Sequence, residues 1–341
     1  MDRLNENFVG LYKRWSIGRI REEDINHIKN VIKELEIIKY TINKDGTVDV
    51  NDSVIIMDTH LENGKLPIRF GKVTGDFYCS FNNDMTSLEG SPKEVGGDFK
   101  CRGCRNLKSL EGAPEKVGGN FDCSNCSILQ SLKGAPKEVN GDFRCDSCDN
   151  LESLEGAPEK VGGDFDCHHC NTIQSLKGAP KKVRNDFTCE SCDNLESLEG
   201  APEKVGGYFN CSSCVSLQSL KGAPEKINKN FYCRSCGNLA SLEGAPKEVS
   251  GSFYCVDCSS LLSLKGAPEK VGKHFCCSNC DRIKTLEGAP KEVGEDFDCK
   301  YCMNLISLKG APEKVGRNFI CYNCFNLKLT DEAPKNYRVF H

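Results

Sequence analysis

The sequence predicts a repeat solenoid, with short parallel strands on one face, irregular turn-rich return segments and a helical N-terminal cap. Three observations predict it. Phenylalanine recurs every 22 residues from Phe77 to Phe319, twelve times without a slip. Cysteine follows each of these after two residues, from Cys79 to Cys321, and eleven further cysteines, Cys104 to Cys324, stand three residues beyond those. Proline keeps the same period from Pro92 to Pro334, and only Pro67 falls outside it. A fixed period of this length marks coils that cannot bury a core alone and share one by stacking.

The elements follow in chain order. Leu4, Phe8, Leu11, Tyr12 and Trp15 suggest a short first helix. Ile25, Ile28, Val31, Ile32 and Leu35 have helical spacing, and the preceding Glu23-Asp24 suits a helix N-terminus. These helices are expected to form a cap over 1–45 that covers the open edge of the stack. Subtracting 22 from Phe77, Cys79, Leu88 and Val95 gives Ile55, Met57, Leu66 and Val73. A degenerate first coil is therefore expected within 46–72. The regular solenoid runs over 73–330. One unit reads F-x-C-x-x-C-x-x-L-x-S-L-x-G-A-P-x-x-V-G-G-x, as in Phe99, Cys101, Cys104, Leu107, Leu110, Pro114 and Val117. Phe99 and Cys101, two apart, share one face of a strand. The chain turns at the second cysteine, and Gly112-Ala113-Pro114 is turn chemistry. The pattern fades at Leu327-Lys328-Leu329. Tyr337, Val339 and Phe340 are expected to close the stack within a tail over 331–341.

This coil resembles that of the leucine-rich repeat family, whose consensus is L-x-x-L-x-L-x-x-N/C-x-L. Phe99 stands at the second leucine, Cys101 at the third and Cys104 at the N/C position, followed by Leu107. The wording S-L-E-G-A-P with V-G-G is also similar to short repeats of tailed-phage proteins. The resemblance covers about 51–334 and implies the leucine-rich repeat fold, with Phe and Cys where Leu is usual. It assigns a ladder that hydrogen-bonds the neighbouring turn's backbone. Its members are Asn82, Cys104, Cys126, Cys148, Cys170, Cys192, Cys214, Cys236, Cys258, Cys280, Cys302 and Cys324. Asn82 is an internal control, because asparagine exchanges with cysteine at a ladder position and rarely at a zinc ligand.

Composition narrows the function. Lys and Arg number 45 against 49 Asp and Glu, a net charge of -4, which argues against a nucleic-acid or anionic-membrane binder. No apolar run approaches the ~20 residues of a spanning helix. The start lacks a secretion-signal pattern. A reducing cytosol, that of a host if the gene is a phage's, is therefore expected, with the 24 cysteines as free thiols. The C-x-x-C pairs lack the context of a zinc site, which needs four converging ligands. Only Cys167-His168-His169-Cys170 adds histidine and invites a metal. Cys276, beside Cys277, falls on the exposed face and is the expected reactive thiol. No phosphate loop, nucleophile elbow or acid–base pair is present, so neither an enzyme nor a cofactor is expected. Two other classes are a metal-binding or redox protein and an architectural part of a virion.

What varies from coil to coil is the exposed strand face. Its middle is acidic, with Asp142, Asp164 and Asp166. Further on it gains Tyr208, Tyr232, Tyr254, Val256 and Tyr322. The expected function is protein–protein recognition on this face, with the acidic stretch steering a partner that has a basic surface. Before each G-A-P, Glu and Lys alternate from Glu111 to Lys309. That pattern reads as support for coil register, since equivalent residues stand ~4.8 Å apart.

Overall fold

A computed structural model describes residues 20–328 and the backbone of 338–340. The first expected helix, Leu4 to Trp15, and the tail residues Leu329 and Tyr337 lie outside the described residues.

The described chain opens with helix α1, Glu22–Glu34. The Arg21 backbone N–H donates to Asp24 Oδ2 at 2.9 Å, which starts the helix. Its Ile28, Val31 and Ile32 are buried against the stack. Next comes an antiparallel hairpin of β1, Tyr40–Ile42, and β2, Val48–Val50. The repeat pattern gives no sign of this hairpin. Strand β2 then pairs in parallel with Phe70–Val73 and so begins the coil stack.

Each coil contributes two short parallel strands. One contains the repeat phenylalanine, and these pair residue for residue, as in Phe143 with Phe165 and Arg144 with Asp166. The other contains the repeat valine, as in Val117 with Val139. The valine strands form two ladders, one ending at Val205 and the next starting at Ile227. The repeat pattern implies only an irregular return segment there, and the valine strand is an additional element. At the far end Arg338–Phe340 pairs in parallel with Asn318–Ile320.

The core runs the length of the stack. Every repeat Phe is buried, and successive rings lie 5.0–5.5 Å apart with interplanar angles of 4–22°. Around this column stand the two cysteines, two Leu or Ile, and the Val of each coil, nearly all fully buried. Gly112 shows why the turn glycine recurs. Its φ is +90°, and a Cβ there would meet the Leu88 carbonyl carbon of the preceding coil at 2.7 Å.

The first coil departs from the expected register. Val54 pairs with Phe77 and Ile55 with Tyr78, an offset of one residue. Val54 and Ile56 are 1% and 2% exposed, whereas Ile55 and Met57 are 59% and 54% exposed. Leu66 and Val73 are buried at the positions expected of them. One extra residue therefore lies between Ile56 and Leu66, beside the 3-10 turn Asp58–His60. In a strand a one-residue slip exchanges the inner and outer faces, so subtraction of a constant period picked the wrong pair.

Among the alternating charges, Glu199–Lys221, Glu243–Lys265 and Glu287–Lys309 each close to 2.8 Å.

Candidate recognition face

Each second cysteine points inward and donates its S–H to the carbonyl of the first cysteine one coil back. Cys104 Sγ lies 3.1 Å from Cys79 O, and the same bond recurs down to Cys324 at 3.1–3.4 Å. Asn82 makes the equivalent bond from Nδ2 to Ile56 O at 3.0 Å. Burial pushes the thiol of Cys104 up to about 12 and that of Cys324 likewise to about 12, so both stay protonated and able to donate. All 24 cysteines are free thiols.

Cys167, His168, His169 and Cys170 do not converge. Cys167 donates inward to Thr188 O at 3.3 Å and Cys170 to Cys145 O at 3.1 Å. His168 leaves the strand on the outer face, and His169 is exposed. There His168 meets carboxylates. Its Nδ1 is 2.7 Å from Asp166 Oδ1 and its Nε2 is 3.7 Å from Asp146 Oδ2. Asp146, Asp166 and His168 each bring a donor atom within 4.8 Å of the others, the spacing a metal ion would need. Asp166 Oδ1 already accepts the His168 backbone N–H at 3.1 Å as well as Nδ1. An imidazole clamped between two carboxylates accounts for the cluster.

Cys276 is half-buried, with Sγ 3.1 Å from Ser278 Oγ. Burial first, then the Asp298 charge, pushes its thiol up, which opposes the activation a reactive thiol needs.

The acidic stretch has a structural use that the sequence reading missed. Asp142 Oδ1 accepts the Asp164 backbone N–H at 2.9 Å, and Asp164 Oδ1 accepts that of Asp186 at 3.1 Å. Asn120 serves Asp142 in the same way, and Asn230 serves Ser252. The residue before the repeat Phe thus forms a second ladder, interrupted at Tyr208, which explains its bias toward Asp and Asn. Asp142 Oδ2 also pairs with Arg144 at 3.1 Å. Burial, and then the charges of Asp142 and Asp186, hold the Asp164 carboxyl above its ordinary value.

The tyrosines form the other part of the face. Tyr232 and Tyr254 stack at 5.2 Å and 4°, and Tyr208 meets Tyr232 edge-on at 5.7 Å. Asn230 Nδ2 donates to the Tyr232 hydroxyl at 2.6 Å and fixes the ring. The Arg234 guanidinium lies 4.3 Å from the Tyr254 ring centre and 5.2 Å from that of Tyr232. Arg234 was not among the expected site residues; its signal was its place beside Tyr232 and Tyr254 in the adjoining column. Val256 is half-buried beside Tyr254. Tyr322 stands apart, three coils further on, edge-on to Tyr301 at 5.5 Å. On the acidic side of the patch, Glu190, Tyr208, Ser212, Tyr232 and Arg234 help to line a shallow cavity of about 480 Å³.

Among the described residues no helix is long and apolar enough to cross a membrane. No family model matches the chain, and neither does any curated protein sequence. Among solved structures, the chain is similar to a leucine-rich repeat protein from Bacteroides ovatus ATCC 8483, at 14% identity and a TM-score of 0.41, over 89% of this chain and 99% of that one.

Proposed function

We propose that this solenoid is a non-enzymatic recognition scaffold that binds a protein partner through its strand face, anchored at Tyr208, Tyr232, Tyr254 and Arg234. The observation that carries the reading is the stacked tyrosine pair with a guanidinium laid over it. Binding energy at interfaces concentrates in Tyr, Trp and Arg, and these rings are held in place before any partner arrives. Elsewhere the columns of this face change identity from coil to coil, while the core columns hardly change. The acidic stretch from Asp142 to Glu190 would speed the approach of a basic surface more than it would strengthen the complex. The free thiols fit a reducing compartment such as the cytosol.

The test is a partner isolated from the source cell and then re-bound as a purified component. Replacing both Tyr232 and Tyr254 with Ala should weaken that complex by roughly tenfold or more, the loss of one strong anchor. The circular dichroism and melting temperature should stay near those of the parent. Equal affinity in the double variant would remove the patch from the function.

A further inference from the structure

The tyrosine patch has a charge pattern of its own. Glu190, Ser212 and Arg234 occupy one column on three successive coils. At ~4.8 Å per coil, the backbones of Glu190 and Arg234 stand about 9.6 Å apart. The two charges do not pair with each other. Glu190 Oε2 accepts a hydrogen bond from Asn210 Nδ2 at 2.8 Å, and Arg234 lies over Tyr254, on the side away from Glu190. Among the described residues no carboxylate is within ion-pairing distance of the Arg234 guanidinium, which leaves its N–H donors for a ligand. Between the two charges Ser212 is small and only 6% exposed, which leaves a depression at that coil.

A ligand whose backbone runs along the stack brings side chains level with both residues when its same-face positions repeat near that backbone distance. In a β-strand same-face residues are about 6.7 or 13.4 Å apart. In polyproline II, with three residues per turn and 3.1 Å per residue, they are about 9.3 Å apart. An α-helix 10–12 Å across is too wide to enter a depression one coil wide. Proline-rich segments dock on aromatic side chains, and Tyr208, Tyr232 and Tyr254 supply such a ridge here.

We infer that this site, resting on the recognition reading above, binds a proline-rich partner segment in the polyproline II conformation that carries a basic and an acidic side chain three residues apart. The basic side chain meets Glu190, the acidic one meets Arg234, and the prolines pack on the tyrosines.

Fluorescence anisotropy with short labelled peptides tests it. The probes are P-K-P-P-E-P and its reverse P-E-P-P-K-P, with controls in which Lys and Glu are two or four positions apart. One order of the three-residue spacing should bind saturably and roughly fivefold more tightly than the controls, the value of one exposed ion pair. Exchanging the charges through Glu190→Arg with Arg234→Glu should move the preference to the opposite order. Equal binding at all spacings, no saturable binding, or an unchanged order in the exchanged variant overturns the proposal. If the peptides fail while the double tyrosine variant still loses its purified partner, only this proposal falls. A double tyrosine variant that keeps its partner brings down the recognition reading itself.

Discussion

Single side chains in this protein hold neighbouring coils in register, and the two polar ladders show how. Asp164 accepts the Asp186 N–H yet sits between Asp142 and Asp186 in the same column. Asparagine keeps the acceptor and removes the charge, as Asn120 and Asn230 already do. Asp164→Asn should therefore stabilise the fold by ~0.3–1 kcal/mol at neutral pH, the range for exposed charge pairs. The sign follows from the raised carboxyl. The folded state holds its proton at a pH where the unfolded chain, at about the ordinary 3.8, has released it. The contribution of Asp164 to stability thus rises as pH falls through that window, and because the variant lacks it the difference between the two proteins should narrow. Urea titrations at pH 7 and pH 4 check both points. The thiol ladder makes a parallel case. Cys192 donates to Cys167 O at 3.3 Å, and Asn82 shows that an amide does the same work. Cys192→Asn should cost less than ~1 kcal/mol, whereas Cys192→Ala removes a buried donor and should cost ~1–3 kcal/mol. A chelator should leave the parent melting temperature unchanged. A fall on chelation, matched by Cys192→Asn, would make the cysteines metal ligands.

An element here is one coil, and its stability is borrowed from its neighbours. Phe187 stacks on Phe165 and Phe209 at 5.4 and 5.0 Å. Phe187→Ala should cost ~3–5 kcal/mol, and nearest-neighbour coupling should carry the damage outward. Hydrogen exchange should show lost protection in the coils of Phe165 and Phe209, with the coils near Phe77 and Phe319 less affected. This element was legible in the sequence because Phe, Cys, Leu and Pro repeat without insertion. The valine strand was not, since Val117 is followed by Gly118-Gly119 and has no apolar partner two residues on to mark a strand face, as Cys101 does for Phe99. The hairpin Tyr40–Val50 lies before the period begins, so no phase pointed to it. The constant period points to Ile55 and Met57 instead of Val54 and Ile56 because an extra residue in the first coil is invisible to subtraction. At the site, the tyrosine columns followed from the period alone. The Arg234 contact did not, because it depends on side-chain direction across coils. The structural use of Asp142 and Asp164 was hidden for the same reason, since a carboxylate bonded to the next coil reads as a solvated charge.

The whole molecule is a one-dimensional array, so its length should be adjustable in whole coils and in nothing else. Excising Phe121–Asp142 removes one period and joins Asn120 to Phe143, which keeps the order of core and ladder positions. In the joined chain Asn120 faces Asp164 in place of Asp142, and an amide oxygen accepts that N–H as well as it accepts the present one. The shortened protein should fold with a slightly lower melting temperature, because a shorter array has fewer interfaces. The excision also removes Lys133 and sets Glu111 beside Glu155. Excising two coils, Phe121–Asp164, sets Glu111 beside Lys177 and restores the alternation. The salt dependence of melting should therefore differ between the two deletions. The one-coil protein should gain stability from added salt, which screens its like-charge neighbours, more than the two-coil protein does. Removing Phe121–Gly141 or Phe121–Phe143 changes the period by one residue. At that junction the inner and outer strand faces exchange, as in the first coil, but here with a fully buried Phe and Cys on the face that turns outward. Those two chains should lose cooperative unfolding and become sensitive to limited proteolysis at the junction. If they melted as the whole-coil deletions do, the strict 22-residue spacing would not be what fixes this fold.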